Sequence, residues 1–115
     1  MKSTGNIFRR FDLSGRIAVI TGGSGLLGRE HAIALAECGA VPVLLDIDRA
    51  RLTHAVADVR EATGVKPRGL VCDITVEGDI RRAEKEIGAP VSILVNNAAN
   101  NPKVEGAADF FFLFR

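Results

Sequence analysis

The sequence predicts an α/β fold, a doubly wound parallel sheet of strand order 3-2-1-4 with helices on both faces. Short β-branched runs alternate with stretches whose apolar residues recur at helical spacing. Each helical stretch closes at a glycine, and each strand runs into a polar or glycine-rich cluster. Alternation of this kind pairs strands in parallel through right-handed crossovers, which puts helices on both faces.

Taken in order, Arg16-Ile-Ala-Val-Ile-Thr21 reads as a first strand buried on both faces, bounded by Ser14-Gly15 and Gly22-Gly23. A helix follows from Gly25, with Leu27, His31, Ala34, Leu35 and Cys38 as its core stripe, and Gly39 closes it. Val41-Pro-Val-Leu-Leu-Asp46 is the second strand, with Pro42 tolerated near its start. Leu52, Val56, Val59 and Thr63 mark a second helix that ends at Gly64. Gly69-Leu-Val-Cys-Asp73 is a shorter third strand. Thr75 is placed to cap a third helix that carries Ile80, Ala83 and Ile87 on one face and stops at Gly88. The fourth strand, Val91-Ser-Ile-Leu-Val95, leads into Asn96-Asn-Ala-Ala-Asn-Asn-Pro102.

The chain has 115 residues, 47% of them hydrophobic and 25% charged, which is the composition of one globular domain spanning 1–115. Fifteen basic against fourteen acidic residues leave a net charge of +1, so no global field attracts nucleic acid or an anionic membrane. No secretory signal and no bilayer-spanning run is present, and the expected address is cytoplasmic. Cys38 and Cys72 lack metal-ligand spacing and are expected to be buried, reduced thiols.

In a 3-2-1-4 sheet the strand order reverses beside the first strand, and a crevice opens there at the carboxyl ends. The candidate site residues fall at that point. Thr21-Gly-Gly-Ser-Gly-Leu-Leu-Gly28 supplies glycines for a tight bend, for close approach of a pyrophosphate and for helix-to-strand packing, the features of a Rossmann-type turn. The helix N-terminus behind it offers unpaired N–H groups to phosphates. Asp46, 18 residues after Gly28, stands where a carboxylate accepts the adenosine ribose hydroxyls and repels a 2′-phosphate, which favours NAD over NADP. Arg49 and Arg51 keep NADP open, because a guanidinium pairs well with phosphate. Asp73 is placed to meet the adenine amino group, although Asp and Thr at this point also read as a helix entry. Asn97, Ala98 and Ala99 combine amides with side chains small enough for a ribose to come close. His31 and His54 fall within helical patterns away from the turn and are not assigned to catalysis. The run Phe110 to Phe114 is too short to cross a membrane and reads as a core or partner-facing segment.

Phe11-Asp-Leu-Ser-Gly-Arg-Ile-Ala-Val-Ile-Thr-Gly-Gly23, Asp73-Ile-Thr75 and Asn96-Asn-Ala-Ala99 together resemble the short-chain dehydrogenase/reductase family, from about Phe11 to Asn101. The resemblance implies an NAD(P)-dependent oxidoreductase that moves a hydride between the nucleotide and an alcohol or carbonyl. By it, Gly22, Ser24, Gly25, Leu27 and Gly28 line the pyrophosphate, Asp46 the ribose, Asp73 and Ile74 the adenine, and Asn97, Ala98 and Ala99 the nicotinamide side. Leu26 stands where the family's commoner turn has a small residue, and Gly25 instead fits the variant of the extended, sugar-nucleotide branch. An epimerase or dehydratase is therefore an alternative reading, and a non-catalytic dinucleotide-binding module is another. The family's acid/base Tyr and its partner Lys have no counterpart, since the chain contains no tyrosine. The expectation is thus an N-terminal, cofactor-binding part, with the catalytic region, the remaining strands and the dimer-forming helices of a homo-oligomeric parent beyond residue 115. Strand four is then expected as an open edge beside the phenylalanines, an aggregation-prone site.

Overall fold

The chain, a computed structural model that describes residues 6–99, runs α1 (Ile7–Arg10), β1 (Ile17–Thr21), α2 (Leu26–Glu37), β2 (Val41–Asp46), α3 (Arg49–Thr63), β3 (Arg68–Val71), α4 (Glu77–Ile87) and β4 (Val91–Val95). The four strands form one parallel sheet in the order β3-β2-β1-β4, as the alternation predicts. Register fixes the centre: Val19 lies opposite Val43, and Ile20 opposite Leu44. On the other side of β1, a shift between Ile17 and Ala18 skips Ser92, so Ile17 faces Val91 while Ala18 faces Ile93. Asp46 and Val71 close the β2–β3 pair at its carboxyl end.

The apolar runs of β1 and β2 do not alternate with polar residues because both faces of the sheet are covered. Ile20 and Leu44 point to one face, where Ala32 and Ala36 of α2 and Leu52, Ala55 and Val59 of α3 pack on them. Val19, Val43 and Leu45 point to the other, against Cys72 and against Ala83 and Ile87 of α4. Pro42 is fully buried, and it occupies the second position of β2, opposite Ala18.

Three sequence expectations need correction. The buried stripe of α2 is Gly28, Ala32 and Ala36; Leu27 and His31 are exposed, and Leu35 is only partly buried. Gly28 seats the start of the helix on the turn, and the fully buried positions below it carry small side chains, with Ile33 and Leu35 packing at the margin of the core. Thr75 does not cap α4, whose N-cap is Val76; the Thr75 hydroxyl and N–H instead donate to Asp73 Oδ1 at 2.6 and 2.9 Å. β4 does lie at the sheet's edge, as expected, with Val91 and Leu94 exposed. Cys38 is partly exposed, and only Cys72 is buried. A short α1, capped by Asn6 Oδ1 on Arg9 N at 3.2 Å, was not expected from the pattern. The Phe110–Phe114 run lies outside the described residues.

Both thiols are free. Burial, reinforced by the carboxylates of Asp79 and Asp73 against the pull of Arg82, pushes the Cys72 thiol above its ordinary value. Iodoacetamide at neutral pH is therefore expected to label Cys38 at least tenfold faster than Cys72 in the folded chain, because thiolate fraction and access set the rate. Peptide mapping after timed labelling checks this, and equal rates would contradict the burial of Cys72.

Candidate functional site

The turn between β1 and α2 is held by main-chain bonds before any side chain acts. Gly23 N donates to Leu45 O at 3.1 Å, which ties the turn to β2, and Gly25 N donates to Gly22 O at 3.1 Å, which closes it. Gly22 has φ +64°, and a Cβ there would come within 2.9 Å of Ala98 Cα, so the turn needs glycine for conformation and for contact with the β4 exit. A Cβ on Gly28 would lie 2.3 Å from Gly22 O, so the helix's first turn rests on the loop that precedes it.

Gly25 is the N-cap of α2 and no side chain caps that helix. The first N–H groups of α2 thus keep their donor capacity, with the positive end of the helix behind them. Phosphate oxygens fit this requirement, and Gly25 itself borders the cleft in front of it.

That cleft, about 570 Å³, opens at the carboxyl ends of the strands. Gly22 and Gly25 from the turn, Asp46 from β2, Asp73 and Ile74 after β3, and Asn97, Ala98 and Ala99 after β4 all line it. Eight of the eleven predicted site residues are thus brought to one cavity from four separate points in the sequence. Three are not. Ser24 is 1% exposed and lies behind the cleft, Gly28 is buried under the turn, and Leu27 is 64% exposed and lies outside it.

Asp46 is the best-defined charge in the cleft. Its Oδ2 accepts from the Ser24 N–H at 3.2 Å and from the Ser24 hydroxyl, and its Oδ1 accepts from Ile47 N at 2.8 Å. Partial burial works to raise its pKa, but the bonds from Ser24 and Ile47, with the charge of Arg51, outweigh it and hold the carboxyl below its ordinary 3.8. A lowered folded value stabilises the fold fully above 3.8, and this stabilisation is lost as pH falls through the folded value. Asp73 also titrates below its ordinary value, because the Thr75 hydroxyl and N–H donate to it. One oxygen of Asp73 thus shapes the turn while the residue borders the cavity.

The polar cluster after β4 has a structural task as well. Asn97 Nδ2 donates to Gly22 O at 3.2 Å, so the cluster and the glycine turn brace each other. Sequence reasoning treated Thr21 only as the end of a strand. Its Oγ1 accepts from Asn97 N and Ala98 N at 3.1 and 3.0 Å and donates to Val95 O at 3.4 Å, stitching the β1 and β4 exits together. A hydroxyl on the last residue of a buried strand was the available signal. Arg51 also borders the cleft; Arg49 does not.

Residues 16–110 match the family model described as short chain dehydrogenase. The chain belongs to the short chain dehydrogenase family. It is 38% identical over 95 residues to mouse (Mus musculus) epidermal retinol dehydrogenase 2, covering 77% of this chain and 30% of that protein. Among solved structures, NAD+-bound xylitol dehydrogenase superposes with a TM-score of 0.68 at 36% identity, covering 76% of this chain and 35% of that one. The Pseudomonas aeruginosa RhlG/NADP active-site complex superposes with a TM-score of 0.71 at 32% identity, covering 84% and 39%. This short chain dehydrogenase chain spans between 29% and 41% of the length of the curated relatives it matches. Relatives with either nucleotide occur, so kinship leaves the choice between NAD and NADP to the residues of the cleft. No helix among the described residues is long and apolar enough to cross a membrane.

Proposed function

We propose that this chain forms the dinucleotide-binding part of an NAD-dependent oxidoreductase that moves a hydride between the nicotinamide and an alcohol or carbonyl compound. The observation that carries this reading is the ionised Asp46 in a cleft that it lines together with Gly25, the N-cap residue of α2, which no side chain caps. A carboxylate accepts ribose hydroxyls and repels a 2′-phosphate, while the helix end takes the pyrophosphate. Asp73 and Ile74 would meet the adenine, and Asn97, Ala98 and Ala99 the nicotinamide side. The bound nicotinamide supplies the hydride chemistry; the chain's residues orient it and exclude the phosphorylated form. No residue of the chain is assigned to proton transfer, and with no tyrosine in the sequence, binding without turnover is the expected behaviour of this chain alone. A cytoplasmic address and a homo-oligomeric parent enzyme belong to the same proposal.

Calorimetric titration with NAD and NADP tests the reading. The wild type is expected to bind NAD at least tenfold more tightly than NADP, and Asp46→Ala to narrow that ratio toward unity. A ratio unchanged by Asp46→Ala would overturn the assignment of Asp46 and the preference for NAD.

A further inference from the structure

Ser24 does not face the cleft. It is 1% exposed, and its side chain is turned toward Asp46 across the loop. Both of its donors, the N–H at 3.2 Å and the hydroxyl, go to the same carboxylate oxygen, Oδ2. An ionised carboxylate oxygen accepts about two hydrogen bonds, so Oδ2 is filled. Oδ1 holds only the bond from Ile47 N at 2.8 Å and keeps room for one more donor. The carboxylate therefore cannot turn freely, and it presents one oxygen.

We propose that Ser24 is a positioning residue for nucleotide selection: it clamps Asp46 Oδ2 so that Oδ1 is the acceptor offered to the adenosine ribose, and the clamp sets the preference for a free 2′-hydroxyl over a 2′-phosphate. This rests on the dinucleotide reading above.

The clamp is separable from the integrity of the turn. Gly23 N to Leu45 O and Gly25 N to Gly22 O hold the loop through the main chain, and neither uses the serine hydroxyl. Ser24 is itself fixed from behind, where its carbonyl accepts from Arg29 Nε at 3.2 Å, and Arg29 pairs with Asp58 of α3. Asp58, Arg29, Ser24 and Asp46 form one line of contacts from α3 to the ribose position. Losing the hydroxyl leaves this backbone frame in place, removes the second of the two bonds on Oδ2 and loosens the carboxylate toward Arg51. A rotated or mobile carboxylate opposes a 2′-phosphate less effectively and accepts a ribose hydroxyl at greater entropic cost.

The experiment compares the wild-type chain with Ser24→Ala by calorimetry with NAD and with NADP, and by following the Asp46 carboxyl carbon in an NMR pH titration without nucleotide. The groups that face Asp46 in that titration are Arg51 of α3, Asp73 and Cys72 after β3, and, through Ser24, Arg29 of α2. The expected result is NAD binding weakened about five- to tenfold, the size of one ordinary hydrogen bond, with NADP binding changed less than twofold. The Asp46 midpoint is expected to rise. Equal weakening toward both nucleotides, or an Asp46 midpoint unmoved by the substitution, would overturn the clamp. A wild-type chain that folds but binds neither nucleotide would overturn the dinucleotide reading and with it the ribose role of the clamp, while the titration still reports whether the Ser24–Asp46 bond exists.

Discussion

Gly28→Ala is expected to lower the melting temperature by more than 10 °C and to abolish NAD binding. Two effects of opposite sign compete at this position. Alanine is the better helix former, by about 1 kcal/mol. Against that, the new Cβ would lie 2.3 Å from Gly22 O, 2.8 Å from Gly23 Cα and 3.0 Å from Gly23 C. All three neighbours are backbone, and Gly23 is locked to β2 through its bond to Leu45 O, so no flexible side chain can give way. Overpacking a well-filled site costs typically 1–3 kcal/mol, and a clash with fixed backbone belongs at or beyond the upper end, about 3 kcal/mol or more. The clash wins. With a total stability of roughly 5–10 kcal/mol for a domain of this size, the loss is a large fraction of the whole. Thermal unfolding followed by circular dichroism checks the stability, and calorimetry with NAD checks the site. A Gly28→Ala chain with unchanged melting temperature would show that α2 can lift from the turn, and the account of close helix-to-strand packing would fail.

The order of the strands was legible because it follows from a pattern spread over the whole chain, and local errors do not disturb it. The runs around Ile20 and Leu44 mark strands covered on both sides, and the glycines at 39, 64 and 88 mark where helices stop. The positions of Asp46, Asp73 and Asn97 at strand ends then follow, since in a parallel sheet all carboxyl ends lie on one side. What was not legible depended on distance. The sequence makes Leu27 a better core residue than Ala32, because hydrophobicity grows with size, yet the space beneath α2 is set by how near Gly28 brings the helix to the turn. The orientation of the Ser24 side chain was hidden for a similar reason. Its place in the motif gives its position along the loop, but only the fold of the loop over β2 shows that its hydroxyl faces Asp46 rather than the cleft. Thr21 was passed over because its partners, Asn97 and Ala98, are more than seventy residues away in the chain.

Leu44→Ala and Leu27→Ala together test that lesson in stability units, since both remove the same atoms. Leu44 is fully buried in β2, opposite Ile20, and it packs with Leu52 and Ala55 of α3. A Cβ built on Gly23 would lie 2.7 Å from Leu44 Cβ, so Leu44 also supports the floor of the turn. Truncating it removes transfer energy and leaves a cavity that a sheet pinned by main-chain bonds collapses into only partly, at a cost of about 2–5 kcal/mol. Leu27 is 64% exposed on the outer side of α2, and its truncation leaves no cavity. Alanine is at least as good a helix former, so the expected change lies within about 0.5 kcal/mol of zero. Urea unfolding reads both: the midpoint for Leu44→Ala should fall by more than 1 M if the denaturant slope is about 1–2 kcal/mol/M, while that for Leu27→Ala stays near wild type. If the two substitutions cost the same, the stripe that holds α2 on the sheet would run through Leu27 as its hydrophobicity suggests, and the close approach set by Gly28 would not be what seats the helix.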